Sequence, residues 1–301
     1  MTFNEKTAVA LGTFDGLHKG HLSVITCALS YKERGFIPLV MLFDSHPLLS
    51  LTGKAPAEIL QPGLRDEILE TLDIQSITVS FDEIKNLSCR EFFEEILLKK
   101  LNVGAVCCGK NYRFGKGGEG GCDDLQALCD EYSVTLSVSP EIMHEGSPVS
   151  STRIRKASES GDIPLANAML GREFRYKYEV VSGDKRGRLI GAPTINQHFG
   201  DNFVIPKNGV YASLTTVDGK LYPSVTNVGL RPSFANSDLR SETCILGFSG
   251  DLYGKFIEVR LLEYLRGEIK FDSLDTLGVQ IRKDAESSIR IYNGSRGESN
   301  V

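Results

Sequence analysis

Residues 7–21 read Thr-Ala-Val-Ala-Leu-Gly-Thr-Phe-Asp-Gly-Leu-His-Lys-Gly-His. Ala8 to Leu11 has the length and composition of a buried strand. Gly12 and Gly16 bracket a turn, and an apolar-periodic segment follows from about His21 to Tyr31. Strand, glycine turn and helix, in that order, set backbone N–H groups and a helix N-terminus against a phosphate. His18 and His21 lie three apart at the helix start, on one side of its first turn. Two ring donors beside the positive end of a helix dipole suit a polyphosphate whose charge must be stabilised during transfer. An ordinary turn with surface histidines is the bland reading. A His-Lys-Gly-His run directly after a buried strand favours phosphate.

Outward from this stretch the first half alternates. A helix is expected over 21–34, a strand over Phe36 to Phe43, a helix from Pro62 through Leu72 and a strand over Ser76 to Ser80. Ser88 with Glu91 makes a capping box ahead of the helical face Phe92, Phe93, Ile96 and Leu97. Val103 to Cys108 reads as a strand, 122–132 as a helix and Val134 to Val138 as a strand. Such alternation predicts a parallel sheet covered on both faces, with ligands beyond the carboxyl ends of its strands. After Gly161 the period changes. A connector helix runs from Asp162-Ile163-Pro164 to about Gly171. Short turn-bounded runs follow at 176–182, 203–205, 210–217, 222–228, 243–248 and 256–264, with turns at Gly183-Asp184, Asp218-Gly219 and Ser249-Gly250. They predict a small antiparallel β-barrel, closed by a helix from about Leu274 to Tyr292 with apolar Leu274, Leu277, Ile281 and Ile289, and a frayed tail. Two domains follow, 1–171 and 172–301.

The chain has 301 residues and a formal net charge of −5, which argues against a broad nucleic-acid footprint. No apolar run is long enough to span a bilayer and the N-terminus lacks a signal pattern, so no membrane partner and a cytoplasmic location are expected. Seven cysteines in no zinc-like spacing suggest reduced thiols and no structural metal, with Cys107 and Cys108 as buried strand residues.

Three more stretches fall at strand ends of the first half. Asp44-Ser45-His46-Pro47 reads as a turn. Gly109-Lys110-Asn111-Tyr112-Arg113-Phe114-Gly115-Lys116 is either a solvated loop or a loop able to hold a base by stacking and a phosphate by charge, and the glycines at 117–121 suit a mobile flap. Val149-Ser150-Ser151-Thr152-Arg153-Ile154-Arg155 opens a helix capped by Ser150 or Ser151, with hydroxyls and arginines able to reach an anion. In the second half, residues 183–196 interleave Gly183, Gly187 and Gly191 with Lys185, Arg186 and Arg188, and end in Pro193-Thr194-Ile195-Asn196. A basic hairpin turn is one reading. A phosphate wrap is the other, in which Thr194 and Asn196 share one face of an extended run and could hold Mg²⁺ beside phosphate oxygens.

With these motifs in hand, Gly12 to His21 resembles the signature of the nucleotidyltransferase superfamily, its His-x-Gly-His element being His18–His21. Phe14-Asp15-Gly16 is similar to the subset found in bifunctional riboflavin kinase/FAD synthetases. The resemblance extends over roughly residues 7–292. It implies a Rossmann-like nucleotidyltransferase domain followed by a flavin-kinase barrel. The 44–47 stretch resembles the family's Phe-Glu-Pro-His-Pro element, with Asp44 and Ser45 substituted. The 109–115 stretch is similar to its nucleotide loop, which makes Asn111 a candidate ligand beside Gly12 and Phe14. Residues 150–155 resemble its second signature, which implies that Ser151, Thr152 and Arg155 hold the β/γ-phosphates. In the second half the resemblance implies that Gly183, Lys185, Gly187 and Arg188 bind ATP and that Thr194 and Asn196 bind Mg-ATP, with Ala192 where the family usually has an aromatic. Asn227 to Phe234, Asp251 to Gly254 and Leu265 to Phe271 are similar to further flavin-kinase elements. Glu242 is the general base by resemblance, while Cys244 replaces a common His and Gly247 a common Asp. The substrates implied are riboflavin, FMN and ATP, with Mg²⁺. An adenylyltransferase with a decayed kinase half, and a non-catalytic flavin-binding regulator, are the alternative readings.

Overall fold

The computed structural model describes residues 3–182, 193–232 and 237–297. The chain forms two compact units, Met1–Ala57 with Pro62–Ser150, and Glu58–Gln61 with Ser151–Val301.

In the first unit, β1 (Thr7–Leu11), β2 (Ile37–Phe43), β3 (Gln75–Val79), β4 (Val103–Gly109) and β5 (Thr135–Ser139) make one parallel sheet, ordered β3-β2-β1-β4-β5. All five residues of β1 are buried. Val9 and Leu11 join Phe93, Leu97 and Leu125 in one core cluster. Ala8 and Ala10 point to the other face, where small side chains let the helix Lys19–Ser30 pack closely. The strand order reverses between β1 and β4, so ligands are expected beyond those two strand ends. The capping box forms as predicted: Ser88 Oγ accepts from Glu91 N at 3.3 Å and Glu91 Oε2 accepts from Ser88 N at 2.9 Å. The segment it starts is not an ordinary α-helix, however. Phe92–Lys100 winds as a π-helix, and Leu101 N reaches back five residues to Ile96 O at 3.0 Å. The 44–47 stretch also departs from the predicted turn, because Pro47–Thr52 forms a short helix capped by His46, whose Nδ1 accepts from Leu48 N at 3.2 Å. A small ribbon, β6 (Met143–His144) with β7 (Ser147–Pro148), precedes the second unit.

The second unit begins with the helices Ser151–Ser160 and Ile163–Leu170. The connector helix is capped by Asp162, whose Oδ1 accepts from Leu165 N at 3.2 Å, and it ends at Gly171. β8 (Phe174–Glu179), β9 (Thr194–His198), β10 (Gly209–Val217), β11 (Lys220–Pro232), β12 (Ser237–Ile245) and β13 (Phe256–Arg266) form an antiparallel sheet ordered β8-β13-β10-β11-β12-β9. The sheet curls until its edges meet, with Val181 N donating to Asn196 O at 2.8 Å. Gln197 Nε2 reinforces the seam by donating to Tyr178 O at 2.7 Å and Ile257 O at 2.8 Å. The β10–β11 turn is the Asp218-Gly219 pair, both with positive φ (46° and 76°), the geometry of a tight hairpin. The buried face of the sheet is lined by hydroxyls: Thr226 Oγ1 lies 2.8 Å from both Ser213 Oγ and Thr243 Oγ1. The helix Leu274–Gly297 covers β10, β11 and β13.

Several boundaries differ from the sequence reading. Residues 203–205 are not a strand. Phe203 and Val204 are buried, but Phe203 makes only an isolated bridge to Glu58, and Val204 N donates to Glu58 O at 2.9 Å. β12 ends at Ile245, not at 248. The last helix runs past Tyr292 to Gly297, and its deeply buried residues include Asp284 and Ser288, while Ile289 is exposed. Ser288 Oγ donates to Ser224 O at 2.6 Å, and Arg266 Nη2 meets Asp284 Oδ2 at 2.6 Å.

Candidate active sites

In the first unit the loop between β1 and the helix Lys19–Ser30 carries Phe14 (φ 52°), Gly16 (φ 81°) and Leu17 (φ 38°) in the left-handed region. Such backbone is costly for Phe and Leu, and it persists here because both side chains are fully buried. Gly12 faces the Phe14 ring, where a Cβ would stand 3.1 Å from Cζ. The loop is thereby fixed, and it delivers His18 as the helix N-cap, one residue ahead of Lys19. His18 Nδ1 accepts from His21 N at 3.3 Å, which puts the proton of the neutral ring on Nε2. The two imidazoles stack with centroids 3.6 Å apart at 17°, and Phe14 meets His21 edge-on at 5.4 Å. Two ring systems are thus held at one helix start, at the carboxyl end of the central strand. Val149 O lies 3.8 Å from where a Cβ on Gly20 would be, so the end of the segment leading to Ser151 lies against the same helix start. Ser151, Thr152 and Arg155 occupy the first turns of Ser151–Ser160, in which Ile154 is buried.

Asn111 is exposed on the loop after β4. The two aromatics of that loop do not present a stacking surface. Phe114 is buried and Tyr112 packs on the core, the two rings stacked with centroids 6.0 Å apart. Asp44, at the end of β2, ties that strand to the next element by accepting from Phe81 N at 3.2 Å. Its carboxyl is held below the usual range, first by the Ser80 hydroxyl and then by that amide. Beyond it, Leu48, Leu49 and Leu51 leave an apolar surface exposed.

In the second unit Gly183, Lys185, Gly187 and Arg188 lie outside the described residues. The neighbouring stretch is extended, as the alternation of Thr194 and Asn196 requires. The register sets Asn196 opposite Glu242 and Thr194 opposite Cys244, and Glu242 in turn opposite Asn227 on β11. Residues paired or two apart share a face, so Thr194, Asn196, Glu242, Cys244 and Asn227 form one patch across three strands. Asn196 is 5% exposed, and its Oδ1 has no hydrogen-bond partner among the described residues. A buried carbonyl oxygen in that state calls for a cation or a donor. Thr194 Oγ1 stands on the same strand face, so the neutral oxygens present fit a hard divalent cation whose charge is balanced by phosphates. Burial pushes the Cys244 thiol up, away from the thiolate form. A cavity of about 340 Å³ is walled by Thr194 of this patch together with Val180, Ile195, Ile245, Phe248 and Leu252, a mostly apolar lining.

The sequence reading assigned no task to Asn227 or Glu268. In the structure Asn227 Nδ2 donates to Glu268 Oε1 at 3.2 Å. A Cβ on Gly229 would stand 2.3 Å from that same carboxylate oxygen, so any larger residue there would have to displace the Glu268 carboxylate from its bond to Asn227. The bond also orients the amide: its nitrogen faces Glu268, and its Oδ1 is a buried acceptor without a partner among the described residues, on the strand next to Glu242. Two motifs distant in sequence meet here, a contact that only the strand register creates.

Comparison with known proteins adds the following. Residues 1–153 match the family profile described as FAD synthetase, and residues 170–292 the one described as riboflavin kinase. The chain is 33% identical over 300 residues to the bifunctional riboflavin kinase/FMN adenylyltransferase of Bacillus subtilis (strain 168), covering 97% of this chain and 94% of that one. It is 34% identical over 285 residues to the protein of the same description from Escherichia coli (strain K12), covering 93% and 91%. Among solved structures it is similar to one described as a macrolide-efflux protein from Streptococcus pneumoniae, with 30% identity, a TM-score of 0.88 and coverage of 96% and 95%. Among the described residues, no helix is long and apolar enough to cross a membrane.

Proposed function

Because the chain belongs to the bifunctional riboflavin kinase/FMN adenylyltransferase family, we propose that it phosphorylates riboflavin to FMN with ATP and then adenylylates FMN to FAD, releasing pyrophosphate. The adenylyltransferase occupies residues 1–171, with the connector helix, and the kinase residues 172–301.

In the kinase half, Glu242 accepts the proton of the riboflavin 5′-hydroxyl as it attacks the γ-phosphate. The observation that supports this assignment is the register: Glu242 stands directly opposite Asn196, whose strand neighbour Thr194 lines the apolar cavity. Thr194 and Asn196 would hold Mg²⁺, which neutralises phosphate charge when bound. Positioning and neutralisation carry most of phosphoryl transfer. Gly183, Lys185, Gly187 and Arg188 wrap the phosphates.

In the adenylyltransferase half, the FMN phosphate attacks the α-phosphate of a second ATP. No covalent enzyme intermediate is needed, since that phosphate is itself the nucleophile. His18 and His21 donate to the phosphates in flight, Gly12 and Phe14 shape the loop that presents them, and Asn111 contacts the nucleotide. Ser151, Thr152 and Arg155 grip the departing pyrophosphate.

Incubation with riboflavin, ATP and Mg²⁺, followed by chromatography, tests both steps. Formation of FMN and then FAD is expected. His21→Ala should lower FAD formation by about 10²–10³ while FMN still forms. Glu242→Gln should block phosphorylation of riboflavin while supplied FMN is still converted to FAD. Equal loss of both activities in both variants would refute the two-site assignment.

A further inference from the structure

Two neighbouring rows of residues cross β9, β12 and β11 on the sheet face that carries Glu242. One pairs Asn196, Glu242 and Asn227, and the next pairs His198, Arg240 and Gly229. Residues two apart on a strand share a face, so Arg240 stands beside Glu242, with His198 on one flank and Gly229 on the other. Gly229 brings no side chain to its row. The Glu268 carboxylate takes that place: a Cβ on Gly229 would stand 2.3 Å from Glu268 Oε1 and 3.2 Å from its Cδ. Directly opposed residues of paired strands have Cβ atoms about 5 Å apart, and opposite charges so placed attract across the strands. Arg240 is therefore the cross-strand partner of a carboxylate that enters from another segment. The same oxygen of Glu268 accepts from Asn227 Nδ2 at 3.2 Å, which links the two rows. On the other flank, burial and then the Arg240 charge hold the His198 imidazole below its ordinary value, toward the neutral form.

We propose that Arg240 and Glu268 are positioning residues of the kinase reaction: Arg240 holds the Glu268 carboxylate over Gly229, and Glu268 in turn holds the Asn227 amide ready for the flavin substrate. This deepens the kinase reading of the second half and rests on it. Glu268 is exposed and lies just past the end of β13 at Arg266, in a stretch without regular structure. A carboxylate there loses rotamer freedom when it is fixed, and a single bond from a neutral amide is a weak restraint against that loss. An opposite charge across the strands adds the second restraint. With Nδ2 kept on Glu268, Asn227 presents Oδ1 as its acceptor, in the same row as Glu242. An acceptor so placed suits a polyol chain, and riboflavin carries its reacting hydroxyl at the end of one. Arg240 also neighbours Glu242, and the two carboxylates lead to different outcomes. An Arg240 that served Glu242 would act on turnover whatever stands at 268. One that serves Glu268 acts on riboflavin binding, and only through Glu268.

The test is steady-state kinetics of FMN formation by the full chain carrying Arg240→Gln, Arg240→Lys, Glu268→Gln, or Arg240→Gln with Glu268→Gln. Arg240→Gln and Glu268→Gln should each raise KM for riboflavin by about three- to tenfold, with kcat and KM for ATP within about twofold of wild type. The double variant should be no worse than the worse single one, because both break the same chain of contacts. Arg240→Lys, which keeps the charge, should recover most of the loss. Urea midpoints should hold in the Glu268 variant, since an exposed carboxylate contributes little to stability. Should Arg240→Gln fail to fold, Gly229→Ala replaces it: its Cβ displaces the Glu268 carboxylate, so it should raise KM for riboflavin as Glu268→Gln does. Additive losses, a loss confined to kcat, an Arg240→Lys no better than Arg240→Gln, or a Gly229→Ala or Glu268→Gln with unchanged KM would overturn the proposal. A wild-type chain that makes no FMN would refute the kinase reading itself, whereas a wild type that makes FMN beside unaffected variants would refute the positioning role alone.

Discussion

His18 and Asn227 each have one polar atom committed to a neighbour on the chain. For His18 the amide of His21 takes Nδ1; for Asn227 the Glu268 carboxylate takes Nδ2. In both cases the bond fixes the orientation of the side chain before any ligand arrives. Asn227 Oδ1 is therefore expected to receive a hydroxyl of the riboflavin side chain next to the one that Glu242 deprotonates. Asn227→Ala should lower kcat/KM for riboflavin by about tenfold, the worth of one hydrogen bond whose partner would otherwise stay unpaired. Conversion of supplied FMN to FAD should be unchanged. Steady-state kinetics with each flavin checks this, and a change of less than about twofold would count against the role. The contrast in legibility is clear at these positions. His18, His21, Thr194 and Asn196 stand in short runs that can be read from the sequence as candidates for phosphate or cation binding. Asn227 and Glu268 lie 41 residues apart and meet through strand register and a missing Cβ, which composition does not encode.

Among the elements, the alternating first half and the turn-bounded second half were both legible, because period reports burial. What escaped were elements shaped by their surroundings. The Phe92–Lys100 segment carries an ordinary helical pattern, yet it winds wider, and Phe92, Phe93 and Leu97 all become buried. The final helix hides Asp284 rather than Ile289 because Arg266 on β13 takes both carboxylate oxygens, at 3.2 Å and 2.6 Å. Asp284→Ala should destabilise the second unit by about 3–5 kcal/mol, since it strands a mostly buried guanidinium, and a urea melt would register the loss. The capping box gives a milder, pH-dependent case. Hydrogen bonds from the Ser88 amide and hydroxyl hold the Glu91 carboxyl below its usual range. Its contribution is therefore present above the unfolded value of about 4 and is lost as pH falls through the lower folded value. Glu91→Gln should be less stable than the wild type near neutral pH, and the two should converge in acid. Urea melts across that range would show the convergence or its absence.

At the scale of the whole chain, residues 58–61 belong with the second unit although the sequence around them belongs to the first. Glu58 N donates to Asn202 O at 2.7 Å, and Gln61 exchanges two hydrogen bonds with the backbone of Lys177, at 2.9 Å and 2.7 Å. No motif marks this stretch, and nothing in its composition distinguishes it from a loop. Gln61→Ala removes both of its bonds to β8 and should cost the second unit about 1–3 kcal/mol. FMN formation should fail at a lower temperature than in the wild type, while FAD formation from supplied FMN outlasts it. Coincident loss of the two activities would argue against the assignment.

That borrowed tetrapeptide bears on how the protein could be taken apart. Dividing the gene anywhere between codons 62 and 172 would leave the downstream product without a lace that only the upstream product carries. Fission into two free-standing enzymes, or transplanting the kinase barrel onto another carrier, would succeed only if a surrogate for Glu58–Gln61 travelled with it.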